Sequence, residues 1–306
     1  MPRDQFGPDH QFLPRAELLD FEEIARVVRV LARLGVSKIR LTGGEPLVRR
    51  DVTALVGMVA AIDGIDDIAM TTNASLLAPV AAPLRAAGLT RLTISLDALD
   101  ESVFRAMSDT KISVQRVLDG IAAAQAAGFD TIKLNCVIQR GVNEDQIVPL
   151  ARYGRDHGVV VRFIEYMDVG TTNGWQMHEV VPSREVVARV AAAFPVEPLE
   201  PNYAGEVAQR WRYRDGAGEM GVISSVSQPF CRTCTRARLS AIGELYTCLF
   251  ASSGADVRTW LRDGTTDDVL HDRLAAVWTG RSDRYSELRT ARSVAASKVE
   301  MSYIGG

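Results

Sequence analysis

The 306 residues are 47% hydrophobic and 24% charged, with a formal net charge of −3 and an isoelectric point near 5.9. This balance fits a soluble globular chain with a large core and gives no overall pull toward nucleic acid or an anionic membrane. No apolar run could span a bilayer, residues 1–10 hold no signal-peptide core, and four cysteines in so long a chain make no disulfide framework; the expected location is the cytoplasm.

Asp20 with Glu23 reads as a capping box, opening a helix that runs to Gly35. Residues 38–42 read as a strand, 52–61 as a helix and 67–71 as a second strand. A helix ending near Gly88 leads to a strand over 91–96. A helix over 113–127, stopped by Gly128, leads to a strand over 131–138. A helix over 144–157, ending at Gly158, leads to a strand over 159–165. Repeated β-α units predict an α/β fold with a parallel sheet and right-handed crossovers. After Met167 the character changes. A polar loop covers 168–176, a helix 183–194, and a Pro-rich segment 195–201. Residues 207–214 and 220–225 flank Asp215-Gly216-Ala217-Gly218 as a hairpin. Helices over 255–262 and 267–278 precede the tail.

Ligands of parallel β/α folds bind at the carboxyl ends of strands, and unusual residues gather there. Thr42-Gly43-Gly44-Glu45-Pro46 follows the first strand, Thr71-Thr72-Asn73 the second and Ser95-Leu96-Asp97 the third. Each alone also reads as an ordinary turn or helix cap. Arg40, Lys133 and Arg162 lie inside strands, where three inward cations would suit a polyphosphate. Each could instead pair with a structural carboxylate such as Glu165.

The densest chemistry is Phe230-Cys231-Arg232-Thr233-Cys234-Thr235-Arg236-Ala237-Arg238, followed by Cys248. Three thiols at this spacing suit a soft metal or an iron–sulfur cluster with one position open. Structural zinc with a fourth ligand from elsewhere is the alternative, although none of His10, His157, His178 and His271 has ligand spacing to the trio. Arg236 and Arg238 would suit an anion beside the open position. Cys136, alone in an apolar strand, reads as a buried packing thiol.

Together these segments closely resemble the GTP 3′,8-cyclase family, radical S-adenosylmethionine (SAM) enzymes that begin molybdenum-cofactor biosynthesis. The resemblance rests on Phe12-Leu13-Pro14-Arg15-Ala16-Glu17-Leu18-Leu19, the Gly43-Gly44-Glu45-Pro46 loop, the segment from Arg162 to Gly170, the cysteine trio with Thr235-Arg236-Ala237-Arg238, and the closing Gly305-Gly306. It implies an incomplete TIM-like (β/α)6 barrel lacking its first strand, within 1–200, and a C-terminal iron–sulfur extension over 201–306. It implies SAM binding by Gly43, Gly44, Glu45, Ser95 and Met167. GTP would be bound by Arg40, Thr71, Lys133, Arg162, Arg236, Ala237 and Arg238. Cys231, Cys234 and Cys248 would hold a 4Fe-4S cluster whose open iron meets the guanine base.

The reaction so implied cleaves SAM reductively. The resulting radical takes hydrogen from the ribose 3′ carbon, which then attacks guanine C8 to give (8S)-3′,8-cyclo-7,8-dihydroguanosine 5′-triphosphate. The resemblance assigns no general acid or base. It also implies an electron donor, a downstream cyclic pyranopterin monophosphate synthase and a Gly-Gly tail that reaches the active site, and it leaves a homodimer open. One departure stands out. The family's Cys-x-x-x-Cys-x-x-Cys motif, usually followed by Met-Pro, is absent, and this sequence opens with Met1-Pro2. The expectation is an N-terminally truncated chain that lacks the SAM-cleaving cluster and is inactive as written. Two further readings are a non-catalytic GTP-binding iron–sulfur protein and a zinc-stabilised module.

Overall fold

The computed structural model describes residues 13–170, 173–203, 205–289 and 298–304. The expected β-α alternation is present. Helix α1 (Phe21–Arg33) begins at the capping box read from sequence: Glu23 N–H donates to Asp20 Oδ1 at 2.7 Å, and Asp20 N–H to Glu23 Oε2 at 2.9 Å. Then follow β1 (Lys38–Leu41), α2 (Val52–Ala60), β2 (Asp67–Thr72), α3 (Ala81–Ala86), β3 (Arg91–Ser95), α4 (Glu101–Ser108), α5 (Val114–Ala126), β4 (Ile132–Ile138), α6 (Ile147–His157) and β5 (Val160–Glu165).

Strands β1 to β5 lie side by side and parallel. Helix α7 (Ser183–Ala193) leads into β6 (Val196–Leu199), β7 (Gln209–Tyr213) and β8 (Glu219–Ile223). The hairpin forms as expected, but β8 also pairs parallel to β5, giving the order β1-β2-β3-β4-β5-β8-β7-β6. The sheet is open, with β1 and β6 at its edges among the described residues. The Pro-rich segment contains strand β6, which pairs antiparallel to β7. An edge tolerates Pro198, because its missing N–H can face away from the ladder.

Period-two burial divides the sheet's faces. Along β4, Ile132, Leu134, Cys136 and Ile138 are buried, while Lys133, Asn135 and Val137 are only half-buried. The apolar set joins Met70, Leu92, Ile94, Val161 and Phe163 in the core shared with the helices. Full burial of such side chains stabilises by about 1.5–3 kcal/mol each. The opposite face carries the polar residues Lys133 and Asn135 beside Val137.

Helix α1 serves two cores. Ala25 and Val28 pack with the sheet. Val27 and Val30 pack against Leu245, Val257, Leu261, Leu270 and Leu274. The latter group comes largely from helices α8 (Val257–Arg262) and α9 (Asp267–Thr279) and a small antiparallel sheet of β9 (Arg238–Leu239), β10 (Glu244–Tyr246) and β11 (Ala255–Asp256). Arg262 ties the two together, donating to Glu23 Oε1 at 2.7 Å and to the Ala16 and Leu18 carbonyls at 2.9 and 3.0 Å. The cysteine segment is thereby carried to the sheet. A last short helix, α10 (Met301–Ile304), buries Ile304. Phe12, Gly305 and Gly306 lie outside the described residues.

Candidate active site at the carboxyl ends of the strands

Strand register sets Thr71 opposite Thr93, Thr93 opposite Lys133, and Asn135 between Ser95 and Arg162. Arg40 reaches across from β1 and donates through Nη1 to Thr71 Oγ1 and Thr93 Oγ1, both at 3.0 Å. Arg162 Nη2 donates to the same Thr93 hydroxyl at 3.4 Å. Beside it, a Cβ on Gly221 would sit 3.3 Å from Arg162 Cγ, so the glycine makes room for that side chain. Glu165 takes no part. Its carboxylate accepts the backbone N–H groups of Ser183, Val226 and Ser227, each at 2.8 Å, and the Ser227 hydroxyl.

Crowded cations with few acids should lose basicity. Burial, followed by the charge of Arg162, lowers Lys133 to about 8. Burial and the charge of Arg40 lower Arg162 to about 10. Arg40 is exposed along the sheet edge, yet its crowded guanidinium head is also lowered, by burial, by Arg91 and more weakly by Arg236. Tyr203 and Glu206, from the loop before β7, partly offset these losses. Among the described residues, no carboxylate forms an ion pair with Arg40, Lys133 or Arg162. Arg162 Nε and Asn135 Oδ1 are buried without hydrogen-bond partners.

The glycine loop closes the other end. Gly43 has φ +125°, a region that disfavours side chains, and the space a Cβ would enter is open. Gly44 beside it is exposed. Glu45 braces two strand ends: Oε1 accepts Leu47 N–H at 3.0 Å and the Thr72 hydroxyl at 2.7 Å, and Oε2 accepts Asn73 N–H at 2.7 Å. Oε2 keeps acceptor capacity for a ligand. Ser95 is exposed at the end of β3, and Met167 is half-buried two residues beyond β5.

Cys231 to Thr233 form a 3-10 turn, with Cys234 N–H donating to the Cys231 carbonyl at 3.2 Å. Phe250 N–H donates to Cys248 Sγ at 3.4 Å. Burial raises the Cys234 thiol, but Arg236 beside it and Arg281 more than offset this and leave it lowered. Burial raises Cys248, with Asp283 and Cys231 adding to the effect. Burial and Arg236 lower Arg238 to about 10, while Cys234 and Cys248 act in the opposite direction. Ala237 is exposed between the two arginines. Among the described residues, no three His, Cys, Asp or Glu side chains stand close enough together to hold a metal ion. The donor chemistry of the trio nonetheless fits a thiolate-ligated cluster: all three thiols are partly accessible, Cys234 feels the charge of Arg236, and Cys248 that of Arg238. Cys136 is fully buried in β4, and burial raises its thiol well above the usual range.

Three site features escaped the sequence reading. Thr93 and Asn135 sit on the same face as Lys133, and strand alternation could have found both. Asp168 is buried behind the end of β5. It accepts Lys298 Nζ at 2.8 Å, Arg289 Nε at 3.0 Å and the Tyr285 hydroxyl. No local sequence signal links residues so far apart.

The chain matches two family models: Radical SAM superfamily over residues 5–154 and Molybdenum Cofactor Synthesis C over 159–287. Proteins named GTP 3′,8-cyclase align with the whole chain. The protein from Acidothermus cellulolyticus is 52% identical over 91% of its own length. That from Xanthomonas campestris pv. campestris is 50% identical over 89%, and that from Staphylococcus aureus 47% over 91%. With whole-chain identity at this level and both family models in sequence order, the chain belongs to the GTP 3′,8-cyclase family of radical SAM proteins.

Proposed function

We propose that this chain binds GTP across the sheet face that carries Arg40, Lys133 and Arg162 and serves the radical SAM cyclisation of GTP that begins molybdenum-cofactor biosynthesis. The carrying observation is that Arg40 and Arg162 donate to threonine hydroxyls rather than carboxylates, next to a Lys133 of lowered basicity. Such cations retain their charge for an incoming triphosphate. Thr71 and Thr93 hold the guanidinium planes, and Arg236, Ala237 and Arg238 approach from the cysteine segment. Gly43, Gly44, Glu45, Ser95 and Met167 line the strand ends where SAM is assigned. Cys231, Cys234 and Cys248 are assigned to a 4Fe-4S cluster on the GTP side. No residue of these 306 is assigned to the cluster that cleaves SAM, and Cys136 is too buried to contribute. SAM and iron–sulfur clusters, when bound, supply the one-electron chemistry; the chain's residues position GTP, neutralise its phosphates and exclude water.

This reading includes an external electron donor, a downstream cyclic pyranopterin monophosphate synthase that consumes the product, and a cytoplasmic setting. No helix among the described residues is long and apolar enough to cross a membrane. Calorimetric titration of anaerobically reconstituted protein tests the substrate assignment. GTP should saturate a site from which guanosine, lacking phosphates, cannot displace it. Absence of GTP binding, or equal affinity for guanosine, would overturn the reading.

A further inference from the structure

Residues 281–289 run over the cysteine segment and grip it at four points. Arg281 Nη2 donates to the Cys234 carbonyl at 2.6 Å. The Thr247 hydroxyl donates to Asp283 Oδ2 at 2.6 Å, one residue before Cys248. Arg232 N–H donates to Glu287 Oε1 at 3.2 Å. Tyr285 stacks on Phe250, with ring centroids 4.4 Å apart, and Phe250 N–H in turn meets Cys248 Sγ.

The same stretch is anchored at one buried group, Asp168. Tyr285 and Arg289 both donate to its carboxylate. Lys298 donates to that carboxylate and to the Asp168 carbonyl, both at 2.8 Å. Side-chain exposure is 3% for Asp168, 7% for Arg289 and 2% for Lys298, so these are desolvated charges whose partners are hard to replace. Asp168 follows Met167 directly, and Val299 N–H continues the contact by donating to the Ala251 carbonyl at 3.0 Å.

We propose that Asp168 is a positioning residue that fastens two segments, the Cys248 loop and residues 298–304, to the end of β5. It thereby fixes the cysteine segment, with Arg236 and Arg238, in register with the cations of the sheet. It acts through Tyr285, which stacks on Phe250, whose N–H meets Cys248 Sγ. The inference rests on the GTP reading only for its consequence, because the fastening itself is independent of nucleotide.

The test compares the reconstituted full chain with Tyr285→Phe, which removes one hydroxyl but keeps the ring stack, and with Lys298→Met. Hydrogen exchange without nucleotide should quicken at residues 247–251 and 298–304 in both variants, while β5 and α7 keep wild-type protection. GTP affinity should weaken on the order of tenfold, within the range typical of coupling between linked sites. Asp168→Asn should show the same pattern, enlarged, if it folds. Unchanged exchange at 247–251, faster exchange spread evenly over the chain, or wild-type GTP affinity in both variants would overturn the proposal. If the wild-type chain does not bind GTP, the functional reading fails, and the exchange pattern still decides whether Asp168 holds both segments.

Discussion

Arg40 on β1 and Arg162 on β5, with three strands between them in the sheet, converge on one hydroxyl, Thr93 Oγ1, at 3.0 and 3.4 Å. Two like charges held by a neutral acceptor are an unfavourable arrangement for the protein alone. The arrangement becomes favourable once an anion lies between them. Thr93→Val should free Arg162, leave Arg40 held by Thr71 alone, and weaken GTP binding by about 1.5–3 kcal/mol, measured by calorimetry. Loss of fold stability without loss of affinity would mean that Thr93 serves only the core.

Lys133 gives the site a pH dependence. Its folded-state pKa, about 8, lies below the usual 10.5 because of burial and Arg162. At pH values below 8 the ammonium is already charged and binds phosphate without taking up a proton. Above pH 8 binding must recruit a proton, so GTP affinity should fall by up to about tenfold per pH unit. Lys133→Arg should flatten this limb. A wild-type affinity constant from pH 7.5 to 9.5 would contradict the assignment.

Arg236→Ala and Arg238→Ala should each weaken GTP binding more than SAM binding, by about 1.5–3 kcal/mol per charge-assisted contact. Arg236 is exposed, its guanidinium 5.3 Å from the Phe230 ring centroid, so its removal should leave thermal stability nearly unchanged. Equal losses for the two ligands in parallel titrations would refute the division of the site.

Asp97, two residues beyond the end of β3, offers a test of stability. The residue as a whole is half-buried, its carboxylate accepts Val137 N–H at 2.8 Å, and burial of that carboxylate raises its pKa to about 6. A carboxyl with a raised folded pKa costs stability above that pKa and none below its unfolded value of 3.8. Asp97→Asn should therefore stabilise the fold by about 1–3 kcal/mol at pH 7.5. The gain should vanish as pH falls through 6 toward 4. Denaturant titrations at the two pH values check this; a gain independent of pH would contradict it.

The order of helices and strands was legible because β-α alternation and glycine stops are local signals. The inward cations were legible for a similar reason: period-two alternation sets Lys133 and Arg162 on the face opposite Leu134 and Phe163. Other features depend on partners distant in sequence. Pairing of β8 with β5 joins residues such as Arg162 and Gly221, and no local pattern announces it. Pro198 concealed β6 because a proline reads as a break unless the strand is known to be an edge. Helix α4 was overlooked although Asp100 caps it through Ser102 and Val103 N–H. Asp168 lies within the segment from Arg162 to Gly170, yet its role depends on Lys298, more than a hundred residues away.

The central claim is that one GTP molecule spans the sheet cations and the cysteine segment. Its most direct test is the electron paramagnetic resonance spectrum of the reduced, reconstituted cluster during GTP titration, in wild type and Arg162→Met. GTP should change the wild-type spectrum, and the Arg162→Met midpoint should move to at least fivefold higher GTP, about 1 kcal/mol. A spectrum indifferent to saturating GTP, or the same midpoint in both proteins, would contradict the account.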